Sequence, residues 1–177
     1  GPTCAFKDYA LQLMPKLLVE AKKNLGRTET TRILVATSGD TGKAAMAGFA
    51  DVPGTKIIVF YPKHGVSPIQ EKQMVTQKGN NTYVVGITGN FDDAQTAVKK
   101  MFNDKELEAE LDQAGYQFSS ANSINIGRLV PQIVYYVYAY ASLVRQGKIK
   151  DGQEINVVVP TGNFGNILAA YYAKQMG

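Results

Sequence analysis

Two hydrophobic periods alternate along the chain, and each predicts a different kind of element. Short continuous apolar runs predict strands, at Arg32–Thr37, Lys56–Tyr61, Thr82–Ile87, Tyr116–Ser119 and Ile155–Val159. Apolar residues spaced three or four apart predict helices, at Tyr9–Leu25, Lys43–Ala50, Ser67–Lys78, Asn90–Phe102, Glu106–Gln113, Asn125–Arg145 and Asn166–Met176. Strands that are apolar on both faces are typical of parallel sheets covered by helices. The pattern therefore predicts an α/β fold with mostly parallel sheets flanked by helices.

Prolines refine two of these helices. Pro15 lies inside the first predicted helix and is expected to kink or split it, because its ring removes an amide donor. Pro68 follows Ser67 and precedes Gln70, which is the pattern of a capped helix start with proline at the first helical position.

Composition excludes several classes of function. The 177 residues carry a net charge of +4, and the lysines are scattered without a basic run, which argues against a nucleic-acid partner. One cysteine and one histidine argue against a metal site and indicate a reducing, cytoplasmic setting. The most apolar stretch, 129–144, is short and interrupted by polar residues, so it predicts a buried helix and no membrane partner.

Two glycine-rich loops follow predicted strands and open helices, which is where ligands bind in folds of this class. The loop Thr161–Asn166 (TGNFGN) could present free amides to a phosphate, or its glycines could serve a tight turn only. The loop Ser38–Gly42 (SGDTG) lacks the Walker pattern and could hold a substrate carboxylate or phosphate. Alternatively, Asp40 or Thr41 simply caps the next helix.

Lys7 is a further candidate site residue, as an amine that could form an imine. A lysine that forms an imine must be neutral often enough to attack, and burial favours the neutral amine. Phe6 could supply apolar surroundings, whereas Asp8 is expected to cap the helix, and an exposed lysine at a helix start is the ordinary alternative. Together, the lysine and the two loops suit a phosphate-bearing aldehyde, pyridoxal phosphate.

Four segments resemble the threonine synthase family. Residues 2–8 (PTCAFKD) are similar to its lysine signature, SGDTG to its substrate loop, 159–166 (VPTGNFGN) to its phosphate cradle, and 122–128 (NSINIGR) to a further family segment. The resemblance implies a fold-type II enzyme that uses pyridoxal phosphate, held by Lys7 as a Schiff base. Such an enzyme converts O-phosphohomoserine and water to threonine and phosphate, a step of threonine and amino-acid biosynthesis.

The resemblance also implies roles for individual residues. Lys7 is the catalytic residue. The cofactor would be bound by Lys7, Asp40, Gly162, Asn163, Phe164, Gly165 and Asn166. The substrate would be bound by Ser38, Thr41, Gly42, Asn122 and Arg128, and no metal is expected. Asp40 departs from the wider fold type, in which an asparagine usually faces the phenolic oxygen. From the residues alone, Arg128 could equally be a solvated arginine near a helix start.

The fold type implies two lobes. Residues 30–115 would form a smaller α/β lobe, and residues 1–29 and 116–177 would form part of a larger cofactor-binding lobe. We expect the 177 residues to be a partial catalytic core of a longer enzyme, a monomer or homodimer, with no turnover alone. Alternatives are another fold-type II lyase, such as a serine/threonine dehydratase or a cysteine synthase-like enzyme, and a non-catalytic module that binds phosphorylated metabolites.

Overall fold

One parallel sheet organises the fold, and the computed structural model describes residues 1–162 and 164–177. Its strands are β1 (Thr30–Ala36), β2 (Thr55–Pro62), β3 (Thr82–Ile87) and β4 (Tyr116–Ser120). They lie in the order β3-β2-β1-β4, and every neighbouring pair runs parallel. In the interior strand β1, Ile33 pairs with Ile57 of β2 on one side and with Ser119 of β4 on the other. The predicted parallel α/β class is confirmed.

Helices connect the strands, because parallel neighbours need crossover connections. The α-helices of the described residues are α1 (Lys7–Asn24), α2 (Asp40–Phe49), α3 (Pro68–Val75), α4 (Phe91–Asn103), α5 (Lys105–Gln113), α6 (Ile126–Leu129), α7 (Ile133–Arg145) and α8 (Gly165–Gln175). A 3-10 turn, Val130–Gln132, joins α6 to α7. The predicted cap of α3 forms: the hydroxyl of Ser67 accepts from the Gln70 amide, and the Gln70 side chain accepts from the Ser67 amide.

Alternate residues of β1 face two separate apolar clusters. Ile33 and Val35 belong to a cluster that also contains Leu11 of α1 and Phe49 of α2, all fully buried. This cluster holds α1 and α2 against one face of the sheet.

The opposite face of β1 carries Leu34 and Ala36, which pack with Ala94 and Val98 of α4. The sheet is therefore covered on both faces, and its carboxyl ends remain the place where loops can meet. Helix α4 packs on β1 and β2 and leaves the outer strand β3 less covered, so Tyr83 and Val85 are 47% and 41% exposed. The expectation that every strand is buried on both faces is wrong for β3.

Helix α1 runs through Pro15 without a break, so the predicted split is wrong. A proline at this position cannot donate to the carbonyl four residues earlier, which belongs to Leu11. Gly48 of α2 lies against that same carbonyl: a Cβ added to Gly48 would stand 2.1 Å from the Leu11 oxygen. Close packing between α1 and α2 thus covers the carbonyl that Pro15 leaves without its helical donor.

The predicted long helix at 125–145 is interrupted, because Pro131 cannot donate the helical hydrogen bond to Gly127. The chain forms the 3-10 turn there before α7 begins. No residue of α7 is buried among the described residues, so the buried helix predicted from the apolar stretch 129–144 is wrong for α7. Tyr138, for example, is 67% exposed.

The fifth predicted strand is also wrong. Residues 155–159 form no strand, and Val158 is 93% exposed, because no strand of the described chain pairs with this segment. β4 pairs with β1, so it shares a sheet with the strands of residues 30–115. The division of the chain into two lobes stays a prediction. Among the described residues, no helix has both the length and the apolar character needed to cross a bilayer.

Candidate active site

Lys7 is the first residue of α1, and the carboxylate of Asp8 fixes the turn before it. Asp8 is 2% exposed and accepts from the Thr3 amide at 2.9 Å and from the Ala5 amide at 3.4 Å. The hydroxyl of Thr3 donates to the same carboxylate. The expectation that Asp8 caps α1 is therefore wrong. Its carboxylate instead folds the preceding turn and holds Lys7 in a fixed position.

The environment of Lys7 favours its neutral form. Burial, first, and then the positive charges of Arg128 and Lys43 lower the pKa of this half-buried lysine, while the charge of Asp40 raises it. The net direction is downward from the ordinary value of 10.5. Phe6 lies near the amine, with its ring centroid 5.6 Å from Nζ, but it is 53% exposed and encloses little. A lysine with a lowered pKa has more free amine at any given pH and is a better nucleophile.

The loop 38–42 is folded by the hydroxyl of Thr37, which accepts from the amides of Gly39 and Gly42, both at 2.9 Å. Gly39 has φ 134°, a conformation that favours glycine. Gly42 is packed: a Cβ there would stand 2.5 Å from the Thr37 methyl carbon. Of the predicted substrate contacts in this loop, Ser38 is exposed, whereas Thr41 is buried and the Gly42 amide is already bonded.

Asp40 begins α2 and has two polar neighbours. Nε2 of Gln70 donates to Oδ1 of Asp40 at 2.8 Å, and Nζ of Lys43 lies 3.7 Å from the same oxygen. Neither neighbour was found by the sequence analysis. The signal for Lys43 was its spacing, because a residue three positions after Asp40 on a helix lies beside it.

Asn122 and Arg128 follow β4. Nδ2 of Asn122 donates to the Ala36 carbonyl at 3.0 Å and so ties the carboxyl ends of β4 and β1 together. Asn125 caps α6, because its Oδ1 accepts from the Gly127 amide at 2.9 Å. The side chain of Asn122 therefore supports the site, and its predicted contact with substrate stays a prediction.

Arg128 is 2% exposed, so it is not the solvated arginine considered above. Its Nη1 donates to the Ala121 carbonyl at 3.0 Å, and its Nε has no partner among the described residues. Burial lowers the pKa of Arg128 to about 10, which leaves the guanidinium charged at neutral pH. A buried cation with an unused donor is costly unless an anion completes it.

The start of α8 has the geometry of an anion site. Gly162 has φ 59° and Phe164 has φ 60°, and the helix begins at the buried Gly165. The first amides of a helix lack helical acceptors and point outward. Asn163 lies outside the described residues. The side chain of Asn166 is occupied, since Tyr136 donates to its Oδ1 and its Nδ2 donates to Oε1 of Gln132 at 3.1 Å.

A path of hydrogen bonds joins Arg128 to the start of α8. Arg128 acts on Lys7 electrostatically, and Nε2 of Gln132 donates to the Arg128 carbonyl at 3.0 Å. Oε1 of the same glutamine accepts from Asn166 in α8. Gln132 is 3% exposed and was not predicted as a site residue, although it lies one helical turn after Arg128.

The charges around Lys7 fit a small anion. Lys7, Lys43 and Arg128 are cationic groups, and Asp40 is the one carboxylate that acts on Lys7 in the described chain. The unused Nε of Arg128 and the amide-rich start of α8 supply donors for a phosphate. The residues present therefore fit a phosphate-bearing aldehyde, with Lys7 as the amine that would attack its carbonyl.

Comparison with known proteins agrees with this chemistry. Human threonine synthase-like 1 is 46% identical over 183 residues, a match that covers 100% of this chain and 24% of that protein. The threonine synthase of Schizosaccharomyces pombe is 43% identical over 183 residues, covering 100% of this chain and 34% of that protein. The crystal structure of pyridoxal-phosphate-bound threonine synthase from Brucella melitensis superposes with a TM-score of 0.83 at 43% identity, covering 100% and 36%.

The chain thus spans about a quarter to a third of the length of these relatives. The sequence profile of the family described as "pyridoxal-phosphate dependent enzyme" matches residues 1–176. That match includes Lys7, both glycine loops and Arg128, and the cofactor it names is the phosphate-bearing aldehyde that the charges and donors of the site suit. The chain belongs to the pyridoxal-phosphate dependent enzyme family.

Proposed function

We propose that this chain carries the lysine-bearing part of a threonine synthase. The enzyme would convert O-phospho-L-homoserine and water to L-threonine and inorganic phosphate. The observation that carries the proposal is Lys7: an amine at the head of α1 whose pKa is lowered by burial and by Arg128 and Lys43. Identities of 43% and 41% with the threonine synthases of two yeasts support this reaction over others of the family.

The residues near Lys7 support distinct steps. When bound, pyridoxal phosphate supplies an electron sink for the carbons of an attached amino acid. Lys7 would hold the cofactor through its amine and, when released from it, would move protons at the substrate carbons. The neutral form of Lys7 is needed to attack the carbonyl and to accept a proton, which the resulting ammonium would then deliver, and burial favours the neutral form.

Two segments would hold the cofactor. Backbone amides at 162–166 would bind its phosphate, with the Gly165 end of α8 supplying the positive end of a helix dipole. The side chain of Asn166 would act through Tyr136 and Gln132 by keeping α8 in place. Asp40 would face the phenolic oxygen, and Gln70 would orient its carboxylate.

Arg128 and the loop 38–42 would bind the anionic groups of the substrate. The unused Nε of Arg128 supports this role for the arginine. Ser38 is exposed and free to contact substrate, Thr41 would act through its hydroxyl, and Gly42 would shape the loop. Asn122 would line the cleft while it ties β4 to β1.

The remaining expectations belong to this proposal. The enzyme would be a cytoplasmic fold-type II monomer or homodimer with a small-molecule substrate, without nucleic-acid or membrane partners. Residues 30–115 would form its smaller lobe, and residues 1–29 and 116–177 part of the larger one. Without the additional length that the relatives have, the 177 residues would bind cofactor but would not turn substrate over.

Covalent trapping tests the assignment of Lys7. The purified chain is mixed with pyridoxal phosphate, reduced with borohydride and digested, and the modified lysine is identified by mass spectrometry. We expect the pyridoxyl group on Lys7, its loss in Lys7→Ala, and its retention in Lys16→Ala, which removes an exposed lysine of the same helix. A pyridoxyl group on another lysine, or none at all, would contradict the proposal.

Ligand binding separates threonine synthase from the alternatives. The visible absorbance of the cofactor-loaded chain is titrated with O-phosphohomoserine, serine and O-acetylserine. Because the cationic site favours a dianion, we expect O-phosphohomoserine to perturb the spectrum at a concentration about tenfold lower than the other two. A preference for serine or O-acetylserine would instead support a dehydratase or a cysteine synthase-like enzyme.

A further inference from the structure

Lys43 is a buried cation whose hydrogen bond and ion pair have been given no role in the site so far. It lies in the first turn of α2, and only 9% of its surface is exposed. Its Nζ donates to the Thr3 carbonyl at 3.1 Å and lies 3.7 Å from Oδ1 of Asp40. Burying an ammonium group costs free energy unless the group is paired with an opposite charge and hydrogen-bonded.

The two partners of Lys43 belong to the two segments that present Lys7 and Asp40. Thr3 lies in the turn before Lys7, and its own amide and hydroxyl are bound by Asp8. Asp40 begins α2, and the contact between Lys43 and Thr3 spans 40 positions of the sequence. One ammonium group therefore joins the turn that carries the amine to the helix that carries the carboxylate.

We propose that Lys43 is a positioning residue that sets the separation between the Lys7 amine and the Asp40 carboxylate and partly neutralises that carboxylate. The inference rests on the proposed function only for the roles given to Lys7 and Asp40. Both contacts of Lys43 are with residues of this chain, so the inference can be tested on the cofactor-free protein.

The charged groups around Lys7 fix the direction of the expected effect. Arg128 on α6 and Lys43 on α2 lower the pKa of Lys7, and Asp40 on α2 raises it. Asp8 is bound to the Thr3 turn, and Glu71 on α3 accepts from the Tyr61 hydroxyl at 2.8 Å. Removing Lys43 takes one cation from Lys7 and leaves the charge of Asp40 less compensated. Both changes favour protonation of Lys7.

Competitive labelling of the cofactor-free chain measures this effect. The chain is treated with trace acetic anhydride at about pH 8, where neutral amines react and charged ones do not. The rate at Lys7 is read by mass spectrometry. We expect Lys43→Met to lower this rate about threefold, Lys43→Arg to retain most of it, and Lys99→Met, which removes an exposed lysine on α4, to leave it unchanged.

A double variant separates positioning from simple loosening of the turn. In Lys43→Met/Asp40→Asn the uncompensated carboxylate is gone, so we expect the Lys7 rate to return to at least the unsubstituted value. If Lys43→Met merely exposed Lys7 to water, the rate would stay low in the double variant, and the proposal would be overturned. A Lys7 rate unchanged in folded Lys43→Met would overturn it as well.

Folding is checked by circular dichroism and thermal unfolding. Should Lys43→Met not fold, Lys43→Gln takes its place, because its amide keeps a donor for the Thr3 carbonyl while losing the charge, and the same threefold decrease is expected. The outcome is independent of trapping with pyridoxal phosphate. If pyridoxal phosphate is not trapped but the Lys43 variants change the labelling rate of Lys7 as expected, the proposed function alone is contradicted. If pyridoxal phosphate is trapped at Lys7 but the Lys43 variants leave the labelling rate unchanged, this inference alone is contradicted.

Discussion

Gln70 donates from Nε2 to Oδ1 of Asp40 at 2.8 Å, which joins the start of α3 to the start of α2. The same side chain accepts from the Ser67 amide at 3.3 Å and closes the cap of α3. A neutral amide is well suited to both contacts, because it has a donor for the carboxylate and an acceptor for the helix cap.

Gln70→Glu should therefore destabilise the chain in a pH-dependent way. A carboxylate keeps the cap but repels Asp40, and we expect a loss of about 1 kcal/mol in the free energy of unfolding at neutral pH. The loss should shrink as the pH falls toward about 4, because protonation of the introduced glutamate removes the repulsion. Urea unfolding at several pH values measures this. Gln146→Glu, at an exposed position, should show no such recovery.

Arg128→Met should separate stability from ligand binding. The arginine is buried with an unpartnered Nε, so an apolar side chain of similar length should leave the free energy of unfolding unchanged or raise it by about 1 kcal/mol. The affinity for pyridoxal phosphate should fall about tenfold, because a cation of the site is lost. Unfolding in urea and absorbance titration measure the two effects. Arg145→Met, at an exposed arginine, should change neither.

Tyr136→Phe should loosen the start of α8. The single O–H of Tyr136 donates to Oδ1 of Asn166, and the backbone carbonyl of Asn166 lies 3.1 Å from the same hydroxyl, so its removal should cost about 1 kcal/mol of unfolding free energy. Affinity for inorganic phosphate should fall with it if the first turn of α8 is the phosphate site. Tyr138→Phe is the matched control, since Tyr138 on the same helix is 67% exposed. Equal effects in the two variants would contradict the assignment.

Trapping of pyridoxal phosphate by Lys7 should have a distinctive pH dependence. The neutral amine reacts, and the pKa of Lys7 is lowered from its ordinary value of 10.5 by burial, Arg128 and Lys43. The initial rate should therefore rise with pH and reach half of its plateau below 10.5. A peptide of residues 2–8 has no burial and should reach half of its plateau at higher pH than the folded chain. Coincident curves would show that the fold does not activate Lys7.

Local signals in the sequence predicted much of the fold. The strand bounds of β3 were predicted without error, and the cap of α3 formed as the Ser67–Pro68–Gln70 pattern indicated. These features depend on neighbouring residues, whose chemistry is visible along the chain. The strand predicted at 155–159 failed because a strand needs a partner, and pairing is a property of the whole fold.

In the candidate site, too, the features that depend on neighbouring residues could be predicted and those that depend on distant contacts could not. Lys7 and Asp40 could be named from motifs, and the structure brings their charges within reach of each other. The spacing of Lys43 from Asp40 was a signal for their contact, but its contact with Thr3 and that of Gln132 with Asn166 could not be predicted, because these partners lie 40 and 34 positions away in sequence. Residues that support a site from a distance leave little trace in a single sequence.

The approach of Gly48 to the Leu11 carbonyl has a consequence for motion. With no side chain between them, the backbones of α1 and α2 pack directly on each other at this point. Lys7 and Asp40 stand on these two helices, so this contact restrains how far the two residues move relative to each other. A side chain introduced at position 48 would push α1 and α2 apart and would shift the amine away from the carboxylate.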